Sequence, residues 1–204
     1  MSQTLLCSMI SACAIIIGAI IGGLWTSYTS KKSNIKNEEI QRKVLEENKK
    51  IEDGYDNLKI KESASIIRLD ICTCIFQSIR TIKYINRDYN VYYPTCIPIN
   101  KHYWKDISRL YNTFDLKEIS LINQIYGIIE KINYDVRKLD YNKKNFSHIL
   151  INYKILLKKI YKDGLYKILE VNIDECSYID LIDNDIINEE YRNVLIKLEN
   201  IIKN

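Results

Sequence analysis

The 204-residue sequence contains only six glycines and two prolines. Tight turns draw on those residue types, so a fold of many short strands and hairpins is excluded and long helices are favoured. Histidine is nearly absent: His102 and His148 are the only two, and neither has a second ligand at helical spacing. Zinc binding and histidine-dependent catalysis therefore have no local footing. No glycine-rich phosphate loop and no nucleophile motif occurs, which leaves only an enzyme assembled from scattered residues. A formal charge of +4 over this length does not by itself indicate nucleic acid. No catalytic residue, metal site or cofactor is assigned.

Charge is missing altogether from Leu5 to Trp25, a run of about twenty-one residues. At about 1.5 Å of rise per helical residue it spans roughly 30 Å, the thickness of the hydrocarbon layer. In lipid a single apolar run must bond its backbone internally, so a helix is the form expected. A cleaved signal peptide fits less well, since the run is long, lacks a lysine or arginine before it, and ends without a small-x-small site. Ile10-Ser11-Ala12-Cys13 matches a lipobox in letters, but the more apolar half of the run follows that cysteine instead of preceding it.

Flanking charge sets the expected orientation. Lys31, Lys32 and Lys36 follow the run, which places the C-terminal side in the cytoplasm, with Trp25 and Tyr28 at the headgroup level. Cys7 and Cys13 fall in the run. The irregular spacing of Cys72, Cys74, Cys96 and Cys176 suits a reducing compartment better than a disulfide framework. Ala14, Gly18 and Gly22 recur every fourth residue and form a smooth ridge of the kind through which membrane helices self-associate.

The sequence is thus expected to be all-α, in three parts: a transmembrane anchor at 1–28, a charged helical stalk at 29–55, and an antiparallel helical bundle at 56–204. The stalk offers pairs such as Glu46 and Lys50, keeps no sustained heptad, and is expected to break at Asp53-Gly54. Next, Ala64, Ile67, Ile71, Ile75, Ile79, Ile82 and Ile85 fall at spacings of three and four, with Leu69, Cys72 and Phe76 on the adjoining face. That spacing predicts a helix over 57–87. Pro94 and Pro98 make 88–100 a loop. A short helix over 101–111 would turn Trp104, Ile107 and Tyr111 inward.

Asp115 and Glu118 form a capping box ahead of Ile119, Ile122, Ile125, Ile129, Ile132, Val136 and Leu139. Ser147 is the expected cap of a helix carrying Ile149, Tyr153, Leu156, Leu157, Ile160 and Ile168. The last helix, over 186–202, presents Ile187, Tyr191, Val194, Leu198 and Ile201.

Three local features carry possible chemistry. Cys72 and Cys74, two apart on a helix, point apart and read as core thiols instead of a metal pair. The stretch 170–190 is acidic without a basic residue, and reads as a solvated loop because it lacks calcium-loop spacing. Lys154, Lys158 and Lys162 stack at i,i+4 as a basic stripe opposite the apolar face, either meeting an anionic surface or standing in solvent balanced by the acids that follow. Lys143 and Lys144 extend the basic segment.

The expected partners are the lipid bilayer and an unidentified protein, with homo-oligomerisation through the span. The leading reading is a single-pass cell-membrane scaffold with a cytoplasmic helical domain. A membrane-acting effector that oligomerises through Ala14, Gly18 and Gly22 is the second, and an extracytoplasmic or viral envelope protein the third.

Overall fold

The computed structural model describes residues 3–87, 93–140 and 146–203, with side chains from residue 7 onward. The chain is all-helical, with no strand among the described residues. The elements are α1 (Gln3–Arg87), α2 (Tyr103–Leu110), α3 (Leu116–Arg137), α4 (Ser147–Tyr161), a 3₁₀ turn (Lys162–Gly164), α5 (Leu165–Glu170), α6 (Tyr178–Ile182) and α7 (Glu189–Lys203). They divide into two compact units, Met1–Tyr55 and Asp56–Asn204.

In the first unit the described side chains are exposed throughout. Beyond the apolar stretch, the helix is laced by Glu39–Lys43 (3.2 Å) and Arg42–Glu46 (3.8 Å), so Glu46 pairs backwards with Arg42 and not forwards with Lys50. Asp53 and Gly54 are helical, contrary to the expected break. A lone glycine costs a helix only about 1 kcal/mol, and no proline reinforces it.

The second unit owns the core. On its part of α1, Ala64, Ile67, Ile71, Ile75, Ile79, Ile82 and Ile85 are all buried. Each such isoleucine contributes about 1.5–3 kcal/mol of burial before conformational entropy is counted. Core side chains come also from α2 to α7, with α3 packed on α4 and on α7. The capping box at the start of α3 forms as expected: Asp115 Oδ1 accepts from the Glu118 amide and Glu118 Oε2 from the Asp115 amide, both at 2.8 Å.

Several local expectations are corrected. Leu69 is 56% exposed, because Asp70 and Ile71 beside it take the inward direction. On α2 Ile107 is buried, but Trp104 and Tyr111 are 58% and 51% exposed. The inward face there is Asp106, Ile107 and Leu110. The cap of α4 falls on Phe146, one residue before Ser147, and its fully buried ring, edge-on to Tyr93 at 5.4 Å, pins the start of the helix. The helix expected to run to Ile168 is interrupted after Tyr161, where Lys162 takes φ 47°. The acidic stretch contains a helix of its own, α6, opened by a capping box between Ser177 and Asp180. Helix α7 starts at Glu189, leaving buried Ile187 in the preceding turn.

Of the loop 88–100, residues 93–100 are described. Pro94 and Ile97 are buried and Ile99 half-buried, so this part packs onto the core. Lys143 and Lys144 lie outside the described residues.

Candidate functional site

The apolar stretch of α1 is one helix long and apolar enough to cross a membrane, and its most apolar window has no buried residue. Isoleucines are exposed on every side of it, including Ile15, Ile16, Ile17, Ile20 and Ile21. A helix that is apolar all round has no stable place in water unless something covers it. A methyl added at Gly18 or Gly22 meets nothing within 4 Å, so the ridge formed with Ala14 is open. Towards the polar end, the Thr26 hydroxyl donates to the Gly22 carbonyl at 2.8 Å and that of Thr29 to the Trp25 carbonyl at 2.9 Å. Both threonines thus satisfy their donors inside the helix. Trp25, Tyr28, Lys31 and Lys32 follow as exposed side chains.

On α4 the expected core residues Ile149, Tyr153, Leu156, Leu157 and Ile160 are buried, while Lys154 and Lys158 are exposed. Lys162 does not continue their stack, since its backbone leaves the helix. The basic stripe is also not purely polar. Ile151 and Ile155, 55% and 46% exposed, share the outward face with Lys154 and Lys158 at i, i+3, i+4 and i+7.

Sequence reasoning missed the most polar part of the interior. Asp70 on α1 and Asp106 on α2 are both buried, and Asn100 joins them. Its main-chain amide donates to Asp70 Oδ2 at 3.1 Å and its side-chain amide to Asp106 Oδ2 at 2.6 Å. Asp70 Oδ2 accepts also from the Tyr126 hydroxyl at 2.8 Å, and Asp106 Oδ1 from the Ser63 hydroxyl at 2.9 Å. Arg109 is the nearby cation, 3.4 Å from Asp106 Oδ1. Burial pushes the Asp70 carboxyl above its ordinary range, with Asp106 adding to the push and the Asn100 and Tyr126 bonds opposing it. Burial, then the negative Asp70, push the Tyr126 phenol well up. These bonds tie α1, α2, α3 and the loop together and make this a positioning network for the loop and α2. The one sequence signal for it was two aspartates on otherwise apolar helix faces.

Beside the network, a cleft of about 790 Å³ lies between residues 96–101 and α3. Tyr103 stacks on Tyr126 with ring centres 4.1 Å apart and donates to Glu130 Oε1 at 2.8 Å. Burial and that bond push the Tyr103 phenol up to about 12. Asn133 grips Ile97 from the floor.

The cysteine pair is interior: both thiols are buried, and burial pushes that of Cys72 up to about 11. His102 and His148 are exposed, the first just before α2 and the second on α4. No protein-family model matches the chain, and no curated protein and no solved structure is significantly similar to it.

Proposed function

We propose that this chain is a single-pass membrane protein whose helical unit, an antiparallel bundle on the cytoplasmic side, recruits or scaffolds a protein partner at the bilayer. The observation that carries this reading is the exposed apolar stretch of α1: among the described residues of its most apolar window none is buried, so lipid is the natural solvent for it. Orientation rests on Lys31, Lys32 and Lys36 after the stretch. Interaction is favoured over catalysis because the two buried carboxylates are engaged by groups of the fold itself, Asp106 through both oxygens and Asp70 through Oδ2.

The test is topology. Asn37→Cys in an otherwise cysteine-free chain is treated with a membrane-impermeant maleimide before and after lysis, alongside extraction of membranes with alkaline carbonate. Labelling only after lysis, with the protein retained in the membrane, is expected. Labelling of intact cells reverses the orientation, and release by carbonate removes the anchor. The mass of the mature chain separates anchor from cleaved signal.

The open Ala14, Gly18 and Gly22 ridge favours a second reading, an effector that acts by assembling its spans. Overexpression that depolarises cells, relieved by Gly18→Leu, would select it.

A further inference from the structure

The second unit carries two exposed faces of opposite charge that do not neutralise each other within the chain. The first is the outward stripe of α4, where Lys154 and Lys158 alternate with Ile151 and Ile155. The second is around α6, where Glu175, Asp183 and Ile179 are exposed, Ile179 by 61%; Ile179 and Asp183 share a small cleft with Arg68 and Arg192, whose charges are already taken up by Glu199 and Asp185. Among the described residues, no ion pair joins any of these lysines to any carboxylate, nor Glu175 or Asp183 to any cation. At the edge of the acidic face, Asp185 is paired with Arg192 and Asp180 is held in its capping box. Lys83 approaches it too, donating to the Val171 carbonyl.

We infer that the α4 face of one chain docks on the α6 face of a second copy, lysine to carboxylate and isoleucine to isoleucine. Charge complementarity chooses this occupant. The basic face needs a partner that is acidic and apolar at once, and the same chain presents such a surface unused. Opposite potentials of this kind steer association and set register. Two different faces make the contact heterologous, so it propagates from copy to copy into a ring or a chain instead of stopping at a dimer. The inference rests on the membrane-anchor reading only in that anchoring crowds copies onto one surface, where a weak contact suffices.

The test is charge exchange on the full chain in neutral detergent micelles, carrying Gly18→Leu so that the spans do not contribute. Sedimentation in about 50 mM salt is expected to give a mass that rises with protein concentration, at least about twice that in 1 M salt, where ionic attraction is screened. Lys154→Glu with Lys158→Glu makes both faces acidic, and Glu175→Lys with Asp183→Lys makes both basic. Each variant alone is expected to stay at the high-salt mass, and an equimolar mixture to regain the wild-type mass. Helix content by circular dichroism confirms folding. If the lysine pair unfolds, Glu175→Gln with Asp183→Asn takes its place and must lower the wild-type association.

A mass indifferent to salt, association of either reversed variant alone, or a mixture that stays dissociated overturns the inference. So does binding of the α4 face to anionic vesicles with no self-association in their absence. Flotation of the chain with neutral vesicles reads the anchor separately, so loss of that reading and loss of this contact are told apart.

Discussion

The side chain of Asn133 holds Ile97 by both of its main-chain polar groups: Oδ1 accepts from the Ile97 amide at 2.7 Å, and Nδ2 donates to its carbonyl at 2.9 Å. A buried loop carries backbone groups that need partners, and here one amide side chain on α3 supplies the pairing that a neighbouring strand would give. Ile97 is thereby seated in the core, and the segment that continues to Asn100 reaches the buried aspartates.

Asn133→Ala is expected to destabilise the protein by about 2–4 kcal/mol, since two buried bonds are lost and the Ile97 groups remain desolvated. Asn133→Asp, at a pH where the new carboxyl is neutral, keeps an acceptor for the Ile97 amide and offers an O–H in place of the amide donor, so it is expected to fall between wild type and alanine there and to lose stability as the carboxyl ionises. Denaturant unfolding of the three proteins decides this.

Asp70 makes a pH prediction. Its folded carboxyl binds a proton more readily than the unfolded one, mainly because of burial. The folded state therefore holds more protons between the unfolded and folded values, and stability contributed by this group falls as pH rises through that window. Above the folded value the cost is constant, and below the unfolded value the contribution levels off. Asp70→Asn cannot titrate, so the difference in unfolding free energy, wild type minus variant, is expected to rise on acidification from neutrality towards the ordinary carboxylate range. A difference independent of pH would refute the assignment.

The turn after α4 is closely packed. A Cβ built on Gly164 would stand 2.0 Å from Ile186 Cγ2 and 2.7 Å from its carbonyl oxygen. Since backbone cannot give way as a flexible side chain can, Gly164→Ala is expected to cost about 1–3 kcal/mol. Gly164→Ala with Ile186→Ala removes the side-chain clash and leaves the carbonyl one, so the pair is expected to regain part of what an additive sum would lose.

Two residues earlier, Lys162 occupies φ 47°, ψ −118°, a region that favours glycine. Lys162→Gly is expected to raise stability by about 1 kcal/mol, the relief of strain exceeding the added freedom of the unfolded chain. A lowered unfolding midpoint would show that the lysine side chain contributes more than its backbone costs.

Periodicity alone located the interior of α1, α3, α4 and α7, because burying one stripe demands apolar residues every third or fourth position. The capping box of α3 was equally legible, being a contact between residues three apart. The uncharged run at the N-terminal end announced a helix able to cross a membrane by length and composition alone. Pattern failed where partners are distant in sequence. Asp70 and Asp106 are marked locally only by their place on otherwise apolar helix faces, and it does not name their partners, since Asn100, Tyr126 and Ser63 arrive from other segments. Nor does spacing tell which side of a short helix faces in, so Trp104 and Tyr111 were expected inside while α2 turns Asp106 there. The stripe of α4 shows both sides of this division. Its lysines follow from the helical repeat, but Ile151 and Ile155 stand exposed among them because the opposite face of α4 already fills the core. Which apolar residues are left over for a partner is decided by the volume available inside, and only the tertiary structure measures that.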